Sequence, residues 1–170
     1  MANTYEQIGT TQTVGSAVAS VTFSDIPQTY TDLKVVVSAR SDAAALTVVM
    51  RLLINALTSG YTDKYLYGSG SAAGSGSYGA TNGFLGDINA ANSTASTFAS
   101  TDVYIPNYTS ANAKSWSVDD VSETNATTIY MELTAGLNST TAAITSLVLN
   151  LSAGNFVTNS TFSLYGIKKN

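Results

Sequence analysis

Carboxylates are the only side chains of this sequence that could supply general acids and bases in number. The chain has eleven Asp and Glu residues but no histidine and no cysteine, which removes the commonest general base, thiolate nucleophiles and sulfur-ligated metal sites. Glycosidase-type chemistry needs two carboxyl groups that meet in space. Asp119, Asp120 and Glu123 form one cluster along the chain. Three further acids are candidates to meet this cluster in the folded protein: Asp87, Asp102 and Glu132.

Three uses of these acids are open, namely solvated surface groups, ligands of a calcium ion, or a catalytic pair. On a β-strand Asp119 and Asp120 point to opposite faces of the sheet, so these two neighbours cannot act as a pair. We therefore favour solvated surface groups. We expect no catalytic residue, no metal ion and no cofactor, and the protein is predicted not to be an enzyme.

Tyrosine gives a second route to function, because the chain has ten tyrosines and one tryptophan. Tyrosine rings stack on sugars in carbohydrate-binding sandwich domains, although tyrosine also suits half-buried strand positions that leave its hydroxyl in water. A basic pair near the C-terminus could contact an acidic partner or remain solvated. The candidate partner or glycan contacts are Tyr61, Tyr65, Tyr67, Tyr78, Lys168 and Lys169.

Composition narrows the range of partners. Only 11% of the residues are charged and 44% are apolar, so the surface must be made polar mainly by hydroxyl and amide groups. The net charge is −4 and the seven basic residues are scattered, which argues against nucleic acid. No apolar run approaches the roughly 18 residues of a membrane span, and no basic segment followed by an apolar one opens the chain. We expect synthesis in a cytoplasm and no membrane partner.

Alternation of apolar and polar residues predicts β-strands along most of the chain. In residues 32–40, Leu33, Val35 and Val37 are predicted to face a core, and Lys34 and Arg40 to face solvent. A helix is the competing prediction for 43–54, where β-branched residues favour a strand. The predicted strands are 17–24, 32–40, 46–54, 96–105, 114–122, 128–136, 144–151 and 160–168.

The same alternation assigns faces in two of the other strands. Leu46, Val48, Met50, Leu52 and Ile54 are predicted to face the core in 46–54. In 128–136 the predicted core residues are Ile129, Met131 and Leu133.

The strand pattern predicts an all-β antiparallel sandwich of about eight to ten strands. Residues 1–170 are expected to form one domain, with 1–4 as an N-terminal arm and 168–170 as a C-terminal tail. Residues 68–83 contain six glycines and no aliphatic side chain larger than alanine, so they are predicted to form one long mobile loop.

The two prolines of the chain lie in similar segments, "DIPQTYTD" at 25–32 and "YIPNYTSA" at 104–111. Each of these Ile-Pro segments follows one predicted strand and precedes another. Proline cannot donate a hydrogen bond to a neighbouring strand, so we predict that both segments are corners where a strand leaves its sheet.

Several phrases of the sequence resemble a family of virion proteins from tailed bacteriophages, cyanophages and marine phages among them. They are "ASVTFSDIPQTYTDLKVVVSARSD", "LYGSGS", "TDVYIPNYTSANAKSWSVDDVSETNAT", "YMELTAGLNSTTAAITSLVLNLSAGNF" and "LYGIK". The resemblance covers the chain from about Tyr5 to Ile167. None of the phrases is a catalytic motif.

The resemblance implies a jelly-roll-like β-sandwich on the outer surface of a virion. It implies a capsid decoration, or cement, protein that bridges neighbouring major capsid protein subunits, with a homotrimer as the expected assembly. The alternative is a head- or tail-fibre module that recognises host-surface glycans through a tyrosine-lined loop.

Overall fold

The computed structural model describes residues 4–124 and 130–168, and within them the chain forms thirteen β-strands. The strands are β1 (Tyr5–Gln7), β2 (Gln12–Thr13), β3 (Ser20–Phe23), β4 (Asp32–Ala39), β5 (Thr47–Ile54), β6 (Tyr61–Gly68), β7 (Ala73–Gly76), β8 (Gly83–Asn89), β9 (Ala99–Ile105), β10 (Lys114–Val121), β11 (Met131–Asn138), β12 (Leu147–Leu151) and β13 (Thr161–Ile167).

Two antiparallel sheets of unequal width pack face to face. The larger sheet has nine strands in the order β1-β13-β4-β9-β10-β11-β6-β7, with β2 paired to β13. The smaller sheet has four strands in the order β3-β12-β5-β8. The all-β sandwich predicted from the sequence is confirmed. No helix in the described part of the chain has the length and apolar character needed to cross a membrane.

All eight strands predicted from alternation are present, although residues 128 and 129 of one of them lie outside the described residues. The strand prediction for 46–54 is therefore confirmed over the helix alternative. Five further strands bring the number above the predicted eight to ten. They were missed because they are very short or rich in glycine and polar residues: β1, β2, β6, β7 and β8.

The core is made by the inward residues of both sheets, in which Leu33, Leu52 and Leu149 have no exposed surface. Two predicted orientations outside β11 are wrong. Leu46 precedes β5 and is 46% exposed, because it lies in the loop rather than in the strand. Arg40 was predicted to face solvent and is only 9% exposed, because its guanidinium donates hydrogen bonds to the carbonyl oxygens of four residues in the β8–β9 loop: Ala91, Ser93, Thr94 and Thr97.

Aromatic rings occupy the space above glycines in this fold. The Trp116 ring on β10 lies across Gly136, its cross-strand partner on β11, and also against Gly83 at the start of β8. A Cβ atom added to Gly136 would lie 2.0 Å from Trp116 Cε2, and one added to Gly83 would lie 2.4 Å from Trp116 Cζ2. The indole is therefore held from two sides, and it meets the Tyr61 ring edge-on at 6.0 Å.

The segment 68–83 is not one long loop, which corrects the sequence prediction. Its middle forms β7, which pairs with β6 so that Tyr67 stands opposite Gly74 and Tyr65 stands opposite Gly76. The two tyrosine rings lie over these glycines, at 2.6 Å from the position that each glycine's Cβ would take. The neighbouring strand therefore supplies the side chains that β7 lacks, and a glycine-rich segment can add to the sheet.

Both Ile-Pro segments are corners, as predicted. β9 ends at Ile105, directly before Pro106, and β3 ends at Phe23, four residues before Pro27; Ile26 and Ile105 are both buried. The corners also touch each other, because the buried Tyr108 hydroxyl donates a hydrogen bond to the carbonyl oxygen of Pro27.

Gly136→Ala tests the packing of the tryptophan. We expect the new methyl group to lower the free energy of unfolding by about 1–3 kcal/mol, the usual cost of overpacking, because Gly83 blocks retreat of the indole. Urea unfolding followed by tryptophan fluorescence measures the change. Gly68→Ala is the control, since its Cβ has nothing within 4 Å, and equal stability losses in the two variants would contradict this packing.

Candidate functional site

The acids singled out from the sequence divide between two environments. Asp120 and Glu132 are directly paired across β10 and β11, point into the sandwich and are 0% and 2% exposed. Asp87 on β8 lies close enough to raise the pKa of both. Asp119 and Glu123 face solvent. Asp102 forms a salt bridge on the outer face, its carboxylate 2.9 Å from the Lys34 ammonium.

The buried acids satisfy the free edge of β8. This strand is the last of the smaller sheet, so one side of its backbone has no neighbouring strand within that sheet. The Asp87 N–H donates instead to Glu132 Oε2 at 2.8 Å, and the Phe84 N–H donates to Asp63 Oδ2 at 3.4 Å. Trp116 Nε1 donates to the Phe84 carbonyl oxygen at 3.4 Å. Side chains of the larger sheet thus replace the missing strand.

A bulge in β8 makes room for the third buried carboxyl group. The register between β5 and β8 shifts between Val49 and Arg51, and Gly86 has φ of 108°, a conformation that favours glycine. A Cβ on Gly86 would lie 2.4 Å from Asp120 Cγ. Thr101 donates its hydroxyl hydrogen to Asp120 Oδ1, whereas Asp120 Oδ2 is buried without a hydrogen-bond partner.

Burial makes these carboxyl groups weak acids. Desolvation is the largest cause of the raised pKa of Asp120, and the negative charges of Glu132 and Asp87 raise it further. Desolvation and then the charge of Asp87 raise the pKa of Glu132 to about 7. Desolvation also raises the pKa of Asp87 and of Asp63. Near neutral pH some of these buried carboxyl groups are therefore protonated.

The prediction that these acids are solvated surface groups is wrong for Asp120 and Glu132, because Glu132 accepts an N–H of β8 and Asp120 accepts the Thr101 hydroxyl hydrogen inside the sandwich. Both side chains are almost completely buried between the two sheets. Within residues 4–124 and 130–168, no group of three or more His, Cys, Asp or Glu side chains is arranged to hold a metal ion.

The four candidate tyrosines have different roles. Tyr61 is 1% exposed and belongs to the core, where its hydroxyl accepts from the Ile54 N–H at 2.7 Å, so its prediction as a surface contact is corrected. Tyr65 and Tyr67 are half-buried over β7. The Tyr65 ring stacks on Phe84 at 4.6 Å, and the Tyr78 hydroxyl accepts from Arg51 Nη2 at 2.9 Å.

The C-terminal lysines are only partly described. Lys168 is exposed, and its ammonium lies 2.6 Å from Glu6 Oε1 and 5.7 Å from the centroid of the Tyr30 ring. It therefore ties the last described strand to β1. Lys169 lies outside the described residues.

The outer face of the larger sheet carries an apolar surface that the sequence did not predict. We call it the apolar strip, and it consists of Leu66 on β6 with Met131, Leu133 and Leu137 on β11, which are 60%, 61%, 57% and 41% exposed. Leu66 and Leu133 are directly paired, and with Lys64, Ser75 and Ala135 they line a shallow groove.

The predicted inward orientation of Met131 and Leu133 is therefore wrong. The inner positions of β11 are taken by residues that the interior needs: Glu132 accepts the Asp87 N–H, and Gly136 lies under the Trp116 ring. Since successive side chains point to opposite faces, the apolar residues must face outward. Gly136 between two leucine positions was the available signal, because glycine in a strand often marks close packing of another group.

Comparison of the chain with protein-family models, with curated proteins and with solved structures finds no match.

Glu132→Gln tests the buried acids through the pH dependence of stability. A carboxyl group whose pKa rises on folding from 4.5 to about 7 stabilises the fold fully below pH 4.5 and loses that contribution as the pH rises towards 7. We expect the wild type to lose up to about 3 kcal/mol from this group by pH 8, and the variant to escape that loss. The amide oxygen can still accept the Asp87 N–H.

Urea unfolding at intervals from pH 4 to pH 8 measures this difference. Asp25→Asn, which removes one exposed carboxylate, serves as the control and should follow the wild type. A constant stability difference between Glu132→Gln and the wild type across this range would contradict the assignment.

Proposed function

We propose that this chain is a non-enzymatic structural protein of a bacteriophage virion, a decoration or cement protein on the outer capsid surface. In this role it bridges and stabilises neighbouring subunits of the major capsid protein. The structural observation that supports the proposal is the apolar strip, which lies on a closed β-sandwich whose remaining surface is rich in hydroxyl groups.

The strip has the chemistry of a protein-binding surface. Leu66, Met131 and Leu133 each expose more than half of their surface, and they adjoin one another on paired strands. Contiguous exposed apolar side chains on a soluble domain mark contacts with proteins or membranes. The strip is flanked by polar side chains such as Lys64 and Asp119, and an apolar centre with a polar rim is typical of protein interfaces.

The strand order supports the jelly-roll part of the proposal. Taken in chain order, eight strands can be numbered one to eight: β3, β4, β5, β6, β7, β8, β11 and β12. In the smaller sheet the order is first, eighth, third and sixth, which are β3, β12, β5 and β8. In the larger sheet the order is second, seventh, fourth and fifth, which are β4, β11, β6 and β7, with the β9–β10 hairpin inserted between β4 and β11. Jelly rolls divide their strands in this way and are frequent in viral capsid proteins. This support is an analogy between folds, since folds host many functions.

A cement role agrees with the physical properties of the surface. A protein present in many copies gains particle stability additively from weak individual contacts, and a bridge between two capsid subunits gains from bivalency. A surface with few charges can lie against a capsid without the cost of desolvating ions.

The alternative, a fibre module that binds glycans, has less support from the aromatic side chains. Tyr61 is in the core, and the rings of Tyr65 and Tyr67 already cover glycines of β7. A glycan array tests it directly. Tyr67→Phe keeps the ring over Gly74 and removes only the hydroxyl, so glycan binding that this change abolishes would favour the alternative.

Quantitative mass spectrometry of purified virions tests the proposal. We expect a copy number that scales with the number of capsid subunits, and removal of the protein should lower the temperature at which the particles release DNA. A copy number equal to that of the fibres on one tail, or the absence of the chain from virions, would contradict it.

Re-addition of variants to particles that lack the protein tests the apolar strip. Leu133→Asp should restore less heat stability than the wild type, because it places a charge in the middle of the strip. Leu46→Asp is the matched control, since Leu46 is 46% exposed but lies outside the strip, and it should restore full stability.

A further inference from the structure

The apolar strip is flanked by two charged side chains of opposite sign. Lys64 on β6 and Asp119 on β10 both face outward and are exposed, one on each side of β11. Neither forms a salt bridge within the described part of the chain, whereas the neighbouring Lys34 and Asp102 are paired with each other at 2.9 Å. Lys64 donates to the Ser77 hydroxyl on β6's own side of the strip.

The register of the sheet fixes where these side chains lie. Lys64 is opposite Ala135 and Leu66 is opposite Leu133, while Asp119 is opposite Leu133 on the other side of β11. With strands about 4.8 Å apart and a rise of about 3.4 Å per residue, Lys64 and Asp119 are separated by about 12 Å. The midpoint between them falls on β11, between Leu133 and Ala135.

Consider two copies packed face to face through this surface, related by a twofold axis that lies between them, passes over this midpoint and is perpendicular to the line from Lys64 to Asp119. This axis places Lys64 of each copy over Asp119 of the other. With the strand spacing and rise given above, it also places Leu66 within about 3 Å of Leu133 of the second copy, and Leu137 over Tyr104 of the second copy. The strands of the two copies then cross at about 70°, nearer to the orthogonal class of sheet packing than to the aligned class. Leu137 and Tyr104 are 41% and 39% exposed.

We propose that a second copy of this chain covers the apolar strip through a twofold contact, in which Lys64 of each copy meets Asp119 of the other. The inference rests on the proposed function, because it names the partner of the same strip. It replaces the trimer implied by the resemblance with a dimer, and a dimer has two identical surfaces left with which to bridge two capsid subunits.

Self-complementarity favours a second copy over an unrelated protein. In a twofold interface every position must meet the position that the axis exchanges it with, so one unpaired cation and one unpaired anion must lie at exchanged positions. The axis that exchanges Lys64 with Asp119 also brings Leu66 against Leu133 and Leu137 against Tyr104, so the same symmetry that pairs the charges pairs the apolar side chains.

Sedimentation equilibrium of the purified full chain tests the contact. We expect the wild type to associate reversibly to twice 17.6 kDa. Lys64→Glu and Asp119→Lys should each weaken dimerisation at least about tenfold, because like charges then face each other twice. The double variant Lys64→Glu/Asp119→Lys should restore the affinity to within a few fold, since the exchanged charges are again opposite.

Leu133→Asp should give a monomer in any charge background. Thermal unfolding of each variant checks that it is folded, and Leu46→Asp, which places a charge at an exposed leucine outside the strip, should leave the dimer intact. A monomeric wild type, a mass of three chains, or a double variant no better than the single variants would overturn the twofold contact. None of these outcomes depends on virions, so a chain that forms this dimer but is absent from particles would contradict the proposed function alone.

Discussion

The unequal width of the two sheets is the constraint on which the rest of the structure depends. Four strands cannot cover nine, so the edge strand β8 lies against the inner face of the larger sheet with one side of its backbone unpaired. Asp63 and Glu132 accept N–H groups of β8, and Trp116 donates to one of its carbonyl oxygens. Glu132, one of the acids considered as a catalytic candidate from the sequence, is therefore needed to complete the hydrogen bonding of the fold.

The hydrogen bonding of β8 also determines which side chains the protein exposes on its surface. Each strand has two faces, and β11 gives its inner face to Glu132, Gly136 and other groups that serve β8 and the tryptophan. Its apolar side chains are left on the outer face. The protein thus satisfies its interior at the cost of an apolar exterior, and contiguous exposed apolar side chains of this kind commonly mark interaction surfaces.

Alternation along the chain was enough to predict the sandwich and its eight most regular strands, because one face of those strands meets an ordinary apolar core. It failed where another group determines the face. β7 depends on the rings of Tyr65 and Tyr67, which stand on a different strand, and the orientation of β11 depends on the edge of β8. Arg40 was misplaced because its partners are loop carbonyl oxygens. The buried acids and the apolar strip both follow from contacts between distant segments, which a single sequence does not display.

The pairing of the first and last described strands has a consequence for engineering. β1 pairs with β13 along Tyr5 to Gln7, and the Lys168 N–H donates to the Thr4 carbonyl oxygen at 3.0 Å. A short peptide linker could therefore join the two ends and yield a circularly permuted chain with new termini in another loop. These ends lie at the β1 edge of the sheet, opposite the β7 edge beside the apolar strip. A peptide inserted beside Thr4 or Lys168 would thus leave the sheet at the edge remote from the strip, which makes this edge suitable for displaying peptides.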